Sequence, residues 1–146
     1  MTRSTFAAAL VCAAALFLGL GLAGAQTEPA DVDTAASSSQ IARGEYLVHS
    51  ASMCVQCHSP RDRFGELRED RLLTGGAVPV KSPYAGPRWA FQAPNLRKLP
   101  GYAKEDFLQL MQTGKRTDGT MPRLPMPPFR LSADDAEAVY AYLKSL

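Results

Sequence analysis

The chain has 146 residues and a formal net charge of +2 at pH 7, from 16 Lys and Arg against 14 Asp and Glu. This nearly balanced charge gives no reason to expect a nucleic acid or another polyanion as partner. The length suits one compact domain and is too short for two.

Residues 1–25 have the pattern of a secretory signal peptide. Arg3 precedes an apolar run at 6–23, and small residues at 23–25 offer a cleavage site after residue 25. The alternative is an uncleaved membrane anchor, although the run is short for a bilayer. Cleavage would remove Arg3 and Cys12, so that the net charge falls from +2 to +1 and two cysteines remain. We therefore predict a periplasmic protein that meets a membrane only through a partner or through an uncleaved anchor.

The next segment, 26–40, contains almost nothing large to bury, and we predict a disordered linker there. Patterned sequence runs from Ile41 to Leu146 and predicts a single domain at 41–146. Its first helix is expected from Ile41 to His49. Ile41, Tyr46 and Leu47 can share one helical face, and Gly44 leaves room for another helix to approach closely.

The two remaining cysteines stand in the sequence Cys54-Val-Gln-Cys57-His58, which has the C-x-x-C-H pattern of haem attachment. Two thiols three residues apart lie on one side of a helical turn, where they can add to the two vinyl groups of a haem. His58 then faces the iron. This spacing predicts one covalent haem c, with its iron bound by His58.

Three other interpretations of this motif fit the sequence less well. A redox-active disulfide of thioredoxin type normally opens a helix in a βαβ pattern, and no convincing strands flank this motif. A zinc site needs about four ligands, and only His49 is available beyond the motif itself. A structural disulfide between Cys54 and Cys57 would not require a histidine at position 58.

Between the motif and residue 103 the chain is rich in Gly and Pro. Long irregular stretches argue against a compact domain unless something else supplies a core, and an apolar haem disc would do so. The candidate haem neighbours here are aromatic: Tyr84, Trp89, Phe91 and Tyr102. Trp89 is also a candidate to donate its indole N–H to a haem propionate, with simple space filling as the alternative.

Two further helices are predicted from apolar spacing. The first runs from Ala103 to Thr113 and stops at Gly114. The second begins at Ser132, with Asp135 three residues on as a variant of the capping box. The residues expected to face the core are Phe107, Leu110 and Met111 in the first, and Ala136, Val139, Tyr140, Leu143 and Leu146 in the second.

A second axial ligand decides whether the iron transfers electrons or binds small molecules, and methionine is the usual ligand of electron carriers. Met53 abuts the attachment motif, and Met111 has the spacing of a core residue. Met126 is favoured because prolines on both sides leave its backbone few conformations. Met121 and His49 remain as alternatives.

These residues resemble class I c-type cytochromes over Ile41 to Leu146, and most closely the single-haem domains in cytochrome subunits of membrane-bound bacterial dehydrogenases. The matching segments, in the family's order, are 44–48, 54–62, 93–96, 105–107, 113–114, 126–127 and 140–146. Those subunits commonly join three such domains, whereas this chain has one.

The resemblance implies an all-α class I cytochrome c fold, in which a few helices and long loops wrap one haem. It implies His58 and Met126 as axial ligands and a crossing of the first and last helices near Gly44 and Tyr140. It also implies that the Pro94-Asn95 pair lies near the haem edge, which makes Asn95 a candidate cofactor-binding residue.

The predicted function is that of an electron carrier, not of an enzyme, moving one electron between redox partners such as a dehydrogenase, an oxidase or a reductase. One alternative is a haem subunit held permanently in such a complex, and another is a haem sensor or peroxidase. Several basic residues are candidates for a docking face or are simply solvated charges. They are Lys81, Arg88, Arg97, Lys98, Lys104, Lys115 and Arg116.

Overall fold

The computed structural model describes residues 32–83 and 88–146, with side chains from Ser38 onward. The predicted signal peptide, the start of the predicted linker and Tyr84 lie outside these residues. In chain order the elements are α1 (Val32–Tyr46), a π-helical turn (Leu47–Ala51), α2 (Cys54–His58), a 3-10 turn (Glu69–Arg71), β1 (Gly76–Ala77), β2 (Gln92–Ala93), α3 (Lys104–Thr113) and α4 (Ala133–Ser145). The predicted all-α class is confirmed. The two short antiparallel strands, with Gly76 opposite Ala93, were not predicted.

Helices α1 and α4 form the main helical contact, and they cross at Gly44. A Cβ atom at this position would collide with the backbone carbonyl of Ala138 and would lie 2.7 Å from the Cβ of Tyr142. The crossing predicted at Gly44 is therefore present, but its partners are Ala138 and Tyr142. Tyr140 lies instead toward α3, with its ring centroid 5.9 Å from that of Phe107.

Helix α1 begins before Ile41, inside the stretch predicted to be a linker, and it continues directly into the π-helical turn. Leu47 and Val48 in that turn are buried, whereas Tyr46 is 54% exposed. Tyr46 therefore does not share the buried face of Leu47, because the core-facing stripe passes through Gly44, Leu47 and Val48.

The predicted end of α3 at Gly114 and the predicted start of α4 at Ser132 are confirmed. Gly114 ends α3 with a φ of 67°, and its N–H donates to the carbonyl of Leu110 at 2.8 Å. This left-handed conformation suits glycine, which lacks a Cβ atom. Ser132 caps α4, and its hydroxyl oxygen accepts the backbone N–H of Asp135 at 3.1 Å.

The core lies between α1, α3 and α4 and extends to the attachment helix α2. Its buried apolar residues are Leu47, Val48, Val55, Leu73, Leu99, Phe107, Leu110, Met111, Ala136, Ala138, Val139, Tyr142 and Leu143. Tyr140 and Leu146 are only partly buried against it. No helix in residues 32–83 and 88–146 combines the length and the apolar character that a membrane span requires.

Backbone hydrogen bonds fix the long connection between α2 and α3. The N–H of Gly75 donates to the carbonyl of His58 at 2.8 Å, and the N–H of Leu96 donates to the carbonyl of Leu73 at 2.9 Å. Farther along, the N–H of Ala90 donates to the carbonyl of Leu124 at 2.6 Å. The irregular segments are thus tied to the attachment helix and to the loop that carries Met126.

Candidate haem-binding site

The attachment motif forms the short helix α2, which begins after Met53 in a left-handed conformation with φ of 48°. Val55 is buried in the core, so the helix presents Cys54 and Cys57 on another side, where both line the wall of a cavity and are not joined to each other by a disulfide. Burial raises the pKa of the Cys54 thiol to about 11. Thioredoxin-type chemistry requires a lowered thiol pKa, so this environment argues against a redox-active disulfide.

His58 is 8% exposed and lines the same cavity. Its Nδ1 lies 2.8 Å from the backbone carbonyl oxygen of Pro94. A carbonyl can only accept, so Nδ1 carries the proton and Nε2 keeps a lone pair in the neutral ring. Burial lowers the pKa of His58, although the hydrogen bond to Pro94 opposes this shift. The result is a neutral, oriented imidazole with one nitrogen available to a metal.

The cavity has a volume of about 650 Å³. That size falls within the range of roughly 300–1,000 Å³ typical of cofactor sites. Its apolar walls come from α3, α4 and the loops on both sides of α3, including Leu99, Phe107, Leu110, Val139 and Leu143. Two thiols, an imidazole and a large apolar space together fit a covalently attached haem.

A bare metal ion fits the described residues less well than a haem does. They contain no group of three or more His, Cys, Asp and Glu side chains that could hold such an ion. The zinc alternative therefore gains no support from the folded arrangement of Cys54, Cys57 and His58.

Four methionines of the described chain take different positions around this cavity. Met126 is partly buried and lines it, and its backbone N–H donates to the carbonyl of Arg123 at 3.2 Å. Met121 is 52% exposed and is not among the described residues that line the cavity. Met53 and Met111 also line it, the first beside the attachment motif and the second from the buried face of α3. Of the two candidate ligands in the proline-rich loop, only Met126 is at the cavity.

Over residues 41–146 the sequence matches the family described as cytochrome c. This chain belongs to the cytochrome c family. Members of the family carry electrons and bind a covalent haem c with iron. The match confirms the predicted class of cofactor and the predicted membership of an electron-carrier family.

Two curated proteins of Gluconobacter are similar to this cytochrome. One is the cytochrome c subunit of alcohol dehydrogenase (quinone) from Gluconobacter oxydans (strain 621H), at 29% identity, with 79% of this chain and 26% of that protein covered. The other is the fructose dehydrogenase cytochrome subunit from Gluconobacter japonicus, at 27% identity, with 71% and 21% covered. This cytochrome therefore spans about a quarter of the length of the first relative and a fifth of the second.

The predicted aromatic neighbours take separate roles in this cytochrome. Trp89, Phe91 and Tyr102 all line the cavity. The indole N–H of Trp89, however, donates to the backbone carbonyl of Val80 at 3.1 Å. The single donor of the indole is thus used within the chain, and this arrangement favours the space-filling alternative, in which the ring of Trp89 lines the cavity.

Asn95 is exposed and is not among the described residues that line the cavity. Its side-chain oxygen accepts the backbone N–H of Arg97 at 2.8 Å, so the side chain stabilises a turn. Of the predicted Pro94-Asn95 pair, Pro94 contacts the site, because its carbonyl oxygen is the hydrogen-bond partner of His58. Sequence reasoning missed that role because any residue supplies a backbone acceptor, and the side-chain pattern gives no signal for it.

The predicted basic docking residues do not act as one set. Arg116 lines the cavity, Lys104 forms an ion pair with Glu137 at 2.9 Å, and Arg97 donates to the carbonyl of Leu146 at 3.3 Å. Sequence reasoning also missed Arg123, which lines the cavity with Arg116. A search for charges on both sides of Met121 would have found this pair.

Proposed function

We propose that this cytochrome is a periplasmic electron-transfer protein that binds one haem c through Cys54 and Cys57, with His58 and Met126 as the axial ligands. One observation carries the proposal: these four side chains, which lie on two distant segments of the chain, line the same cavity. Because the cavity is mostly apolar, it suits the flat hydrophobic body of a porphyrin.

Haem iron, when bound, supplies one-electron redox chemistry. The chain's own residues would fix it in place: Cys54 and Cys57 through thioether bonds, and His58 through Nε2, which the bond from Nδ1 to Pro94 leaves free. Met126 would offer its soft sulfur, which favours ferrous iron and raises the reduction potential. His58 and Met126 would both be held by stiff segments of the chain, so little rearrangement of the protein would accompany a change in oxidation state.

The partner is proposed to be another redox protein of the exported compartment, such as a dehydrogenase, an oxidase or a reductase. The similarity to two dehydrogenase cytochrome subunits supports a dehydrogenase as electron donor. A subunit fixed in such a complex is the alternative to a free shuttle. Copurification from the native membrane separates the two, because a fixed subunit elutes with its enzyme and a shuttle elutes alone.

The proposed export to the periplasm is based on the sequence of residues 1–25. We take residues 1–25 as a cleaved signal peptide, 26–40 as a connecting segment whose second part forms the start of α1, and 41–146 as the cytochrome domain. Processing can be checked by mass spectrometry of the mature protein, which should begin at Gln26. If the mature protein retains residues 1–25, the segment is an uncleaved membrane anchor and the protein is not released into the periplasm.

Covalent haem is the central test. The full chain is expressed together with a functioning cytochrome maturation system and then denatured in acidified acetone. We expect the pigment to stay with the protein, and to wash free or never appear in a C54S/C57S double variant. The haem to protein ratio, measured by pyridine haemochrome, should be one. Loss of pigment from the unaltered chain would refute the proposal.

A further inference from the structure

The charged side chains on the cavity wall all have one sign. Among the described residues that line the cavity, Arg116 and Arg123 are cations, and no Asp or Glu takes part. Both arginines lie on the loop between α3 and α4 that also carries Met126. The rest of the wall is mostly apolar, so this loop concentrates positive charge at one part of the cavity.

Arg116 is held in place by the loop. Its Nη1 donates to the backbone carbonyl of Met121 at 2.8 Å and approaches the hydroxyl of Thr120 at 3.3 Å. Its backbone N–H donates to the carbonyl of Thr120 at 2.8 Å. These bonds restrain the guanidinium before any ligand arrives, and such preorganisation reduces the cost of binding an anion.

Neither cation forms an ion pair with a carboxylate in residues 32–83 and 88–146. Asp118 interacts electrostatically with Arg116, but its pKa is lowered first by a hydrogen bond from Thr120 and only to a smaller extent by Arg116. Its carboxylate also accepts the backbone N–H of Thr120 at 2.8 Å, so the loop itself occupies this acid.

Arg123 is exposed, and its carbonyl oxygen accepts the N–H of Met126 at 3.2 Å. Arg123 also lines the cavity, three residues before the candidate ligand Met126. A cation beside an apolar wall is stabilised when an anion joins it, because pairing offsets the loss of hydration.

A haem carries two propionate carboxylates, and the indole of Trp89 already donates to Val80. We propose that Arg116 and Arg123 bind the propionates, with Arg116 as the preorganised partner. Arginine suits this role because its planar fork can form two parallel hydrogen bonds to one carboxylate. The inference rests on the proposed haem site and adds the residues that recognise the acidic edge of the cofactor.

The pairing has a redox consequence. A propionate without its cation leaves negative charge near the iron, and this charge favours the ferric state. Replacing either arginine with neutral glutamine should therefore lower the midpoint potential. We expect the reduction equilibrium constant to fall by about tenfold, which corresponds to about 59 mV for a one-electron couple.

The test compares R116Q, R123Q and R116K with R130Q in the haem-loaded full chain. Arg130 is a matched control, because it lies on the same loop and is exposed, its guanidinium donates to the carbonyl of Phe129, and it is not among the described cavity-lining residues. Potentials are measured by spectroelectrochemistry. Redox difference infrared spectra of the same samples report the carboxylate bands.

We expect R116Q and R123Q to lower the potential and to shift the carboxylate bands, while R116K keeps most of the potential and R130Q changes neither. A fall in potential without a band shift would overturn the pairing, and so would equal effects of R116Q and R130Q. Should R116Q fail to accumulate, R123Q and R116K decide by the same two measurements. If the unaltered chain takes up no covalent haem, the proposed function fails; if it does and these variants behave like R130Q, only this inference fails.

Discussion

The imidazole Nε2 of His49 and the hydroxyl oxygen of Tyr142 are hydrogen-bonded at 2.8 Å, which joins the turn after α1 to helix α4. Their rings meet edge to face, with centroids 5.7 Å apart. His49 is not among the described residues that line the cavity. His49, the third candidate for the second iron ligand, is thus hydrogen-bonded away from the cavity. Met126 and Met121 remain as candidates.

Replacing Met126 with alanine should remove the sulfur ligand. We expect the oxidised protein to lose the far-red absorption band of sulfur-to-iron charge transfer. The reduced protein should then bind carbon monoxide at neutral pH, which the unaltered protein should not do. Absorption spectra of both oxidation states measure these changes.

Two variants control this experiment. M121A removes an exposed methionine from the same loop, and H49F removes the imidazole while keeping a ring beside Tyr142. Both should keep the far-red band and exclude carbon monoxide. If the band survives in M126A and disappears in M121A, the axial assignment proposed above is wrong. Carbon monoxide binding to the unaltered protein would favour a haem sensor or peroxidase.

The close approach at Gly44 predicts a strong effect of a single added methyl group. Alanine in place of glycine within a helix normally gains about 1 kcal/mol. Here the new Cβ would collide with the carbonyl of Ala138, which belongs to a packed helix and cannot easily move. Overpacking of this kind typically costs about 1–3 kcal/mol. We therefore expect G44A to lower the free energy of unfolding and G44V to lower it further, as measured by guanidinium denaturation.

Ala42 provides the comparison on the exposed side of the same helix. A42L adds more atoms than G44A does, yet it should change stability by no more than about 0.5 kcal/mol because it meets solvent. An unfolding free energy for G44A equal to or above that of the unaltered protein would show that α1 and α4 can separate without cost.

Much of this architecture could be predicted from the sequence because it depends on local patterns. Gly114 and Ser132 mark helix ends through their own backbone preferences, and the C-x-x-C-H motif places its chemistry within five residues. The exposure of Tyr46 and the donor role of Trp89 could not be predicted in this way. The exposure of Tyr46 depends on which face of α1 packs against α4, and the donor role of Trp89 depends on a contact between two irregular segments, so both are set by neighbours that local patterns do not specify.

The N-cap of α4 gives a prediction on a smaller scale. Ser132 accepts the N–H of Asp135, so S132A leaves that donor without its side-chain partner. A loss of about 1 kcal/mol in unfolding free energy is expected for such a cap. S132D should retain most of the stability, since aspartate is an equally good N-cap. If S132D loses as much as S132A, the cap is not the source of the effect.

The contact between Arg43 and Asp135 predicts a dependence of stability on pH. Arg43 Nε donates to the Asp135 carboxylate at 2.9 Å, and this hydrogen bond is the main reason why the pKa of Asp135 is lowered. A lowered folded-state pKa stabilises the protein above the unfolded value for aspartate, about 3.9. That contribution to stability is lost as the pH falls through the lowered pKa that Asp135 has in the folded protein. R43Q should therefore be slightly less stable at pH 7, and this deficit should shrink toward pH 2.

Arg43 also stacks over the ring of Tyr46 at 5.6 Å, so R43Q removes two interactions at once. Of Arg43, Tyr46 and Asp135, only Asp135 titrates between pH 7 and pH 2. The part of the R43Q deficit that varies with pH is therefore assigned to the ion pair with Asp135. Arg63 is the matched control, because it stacks over Phe64 at 4.6 Å and forms no ion pair among the described residues. R63Q should give a difference that does not vary with pH. A deficit for R43Q that is equally constant would assign its effect to Tyr46 and leave the ion pair without a role in stability.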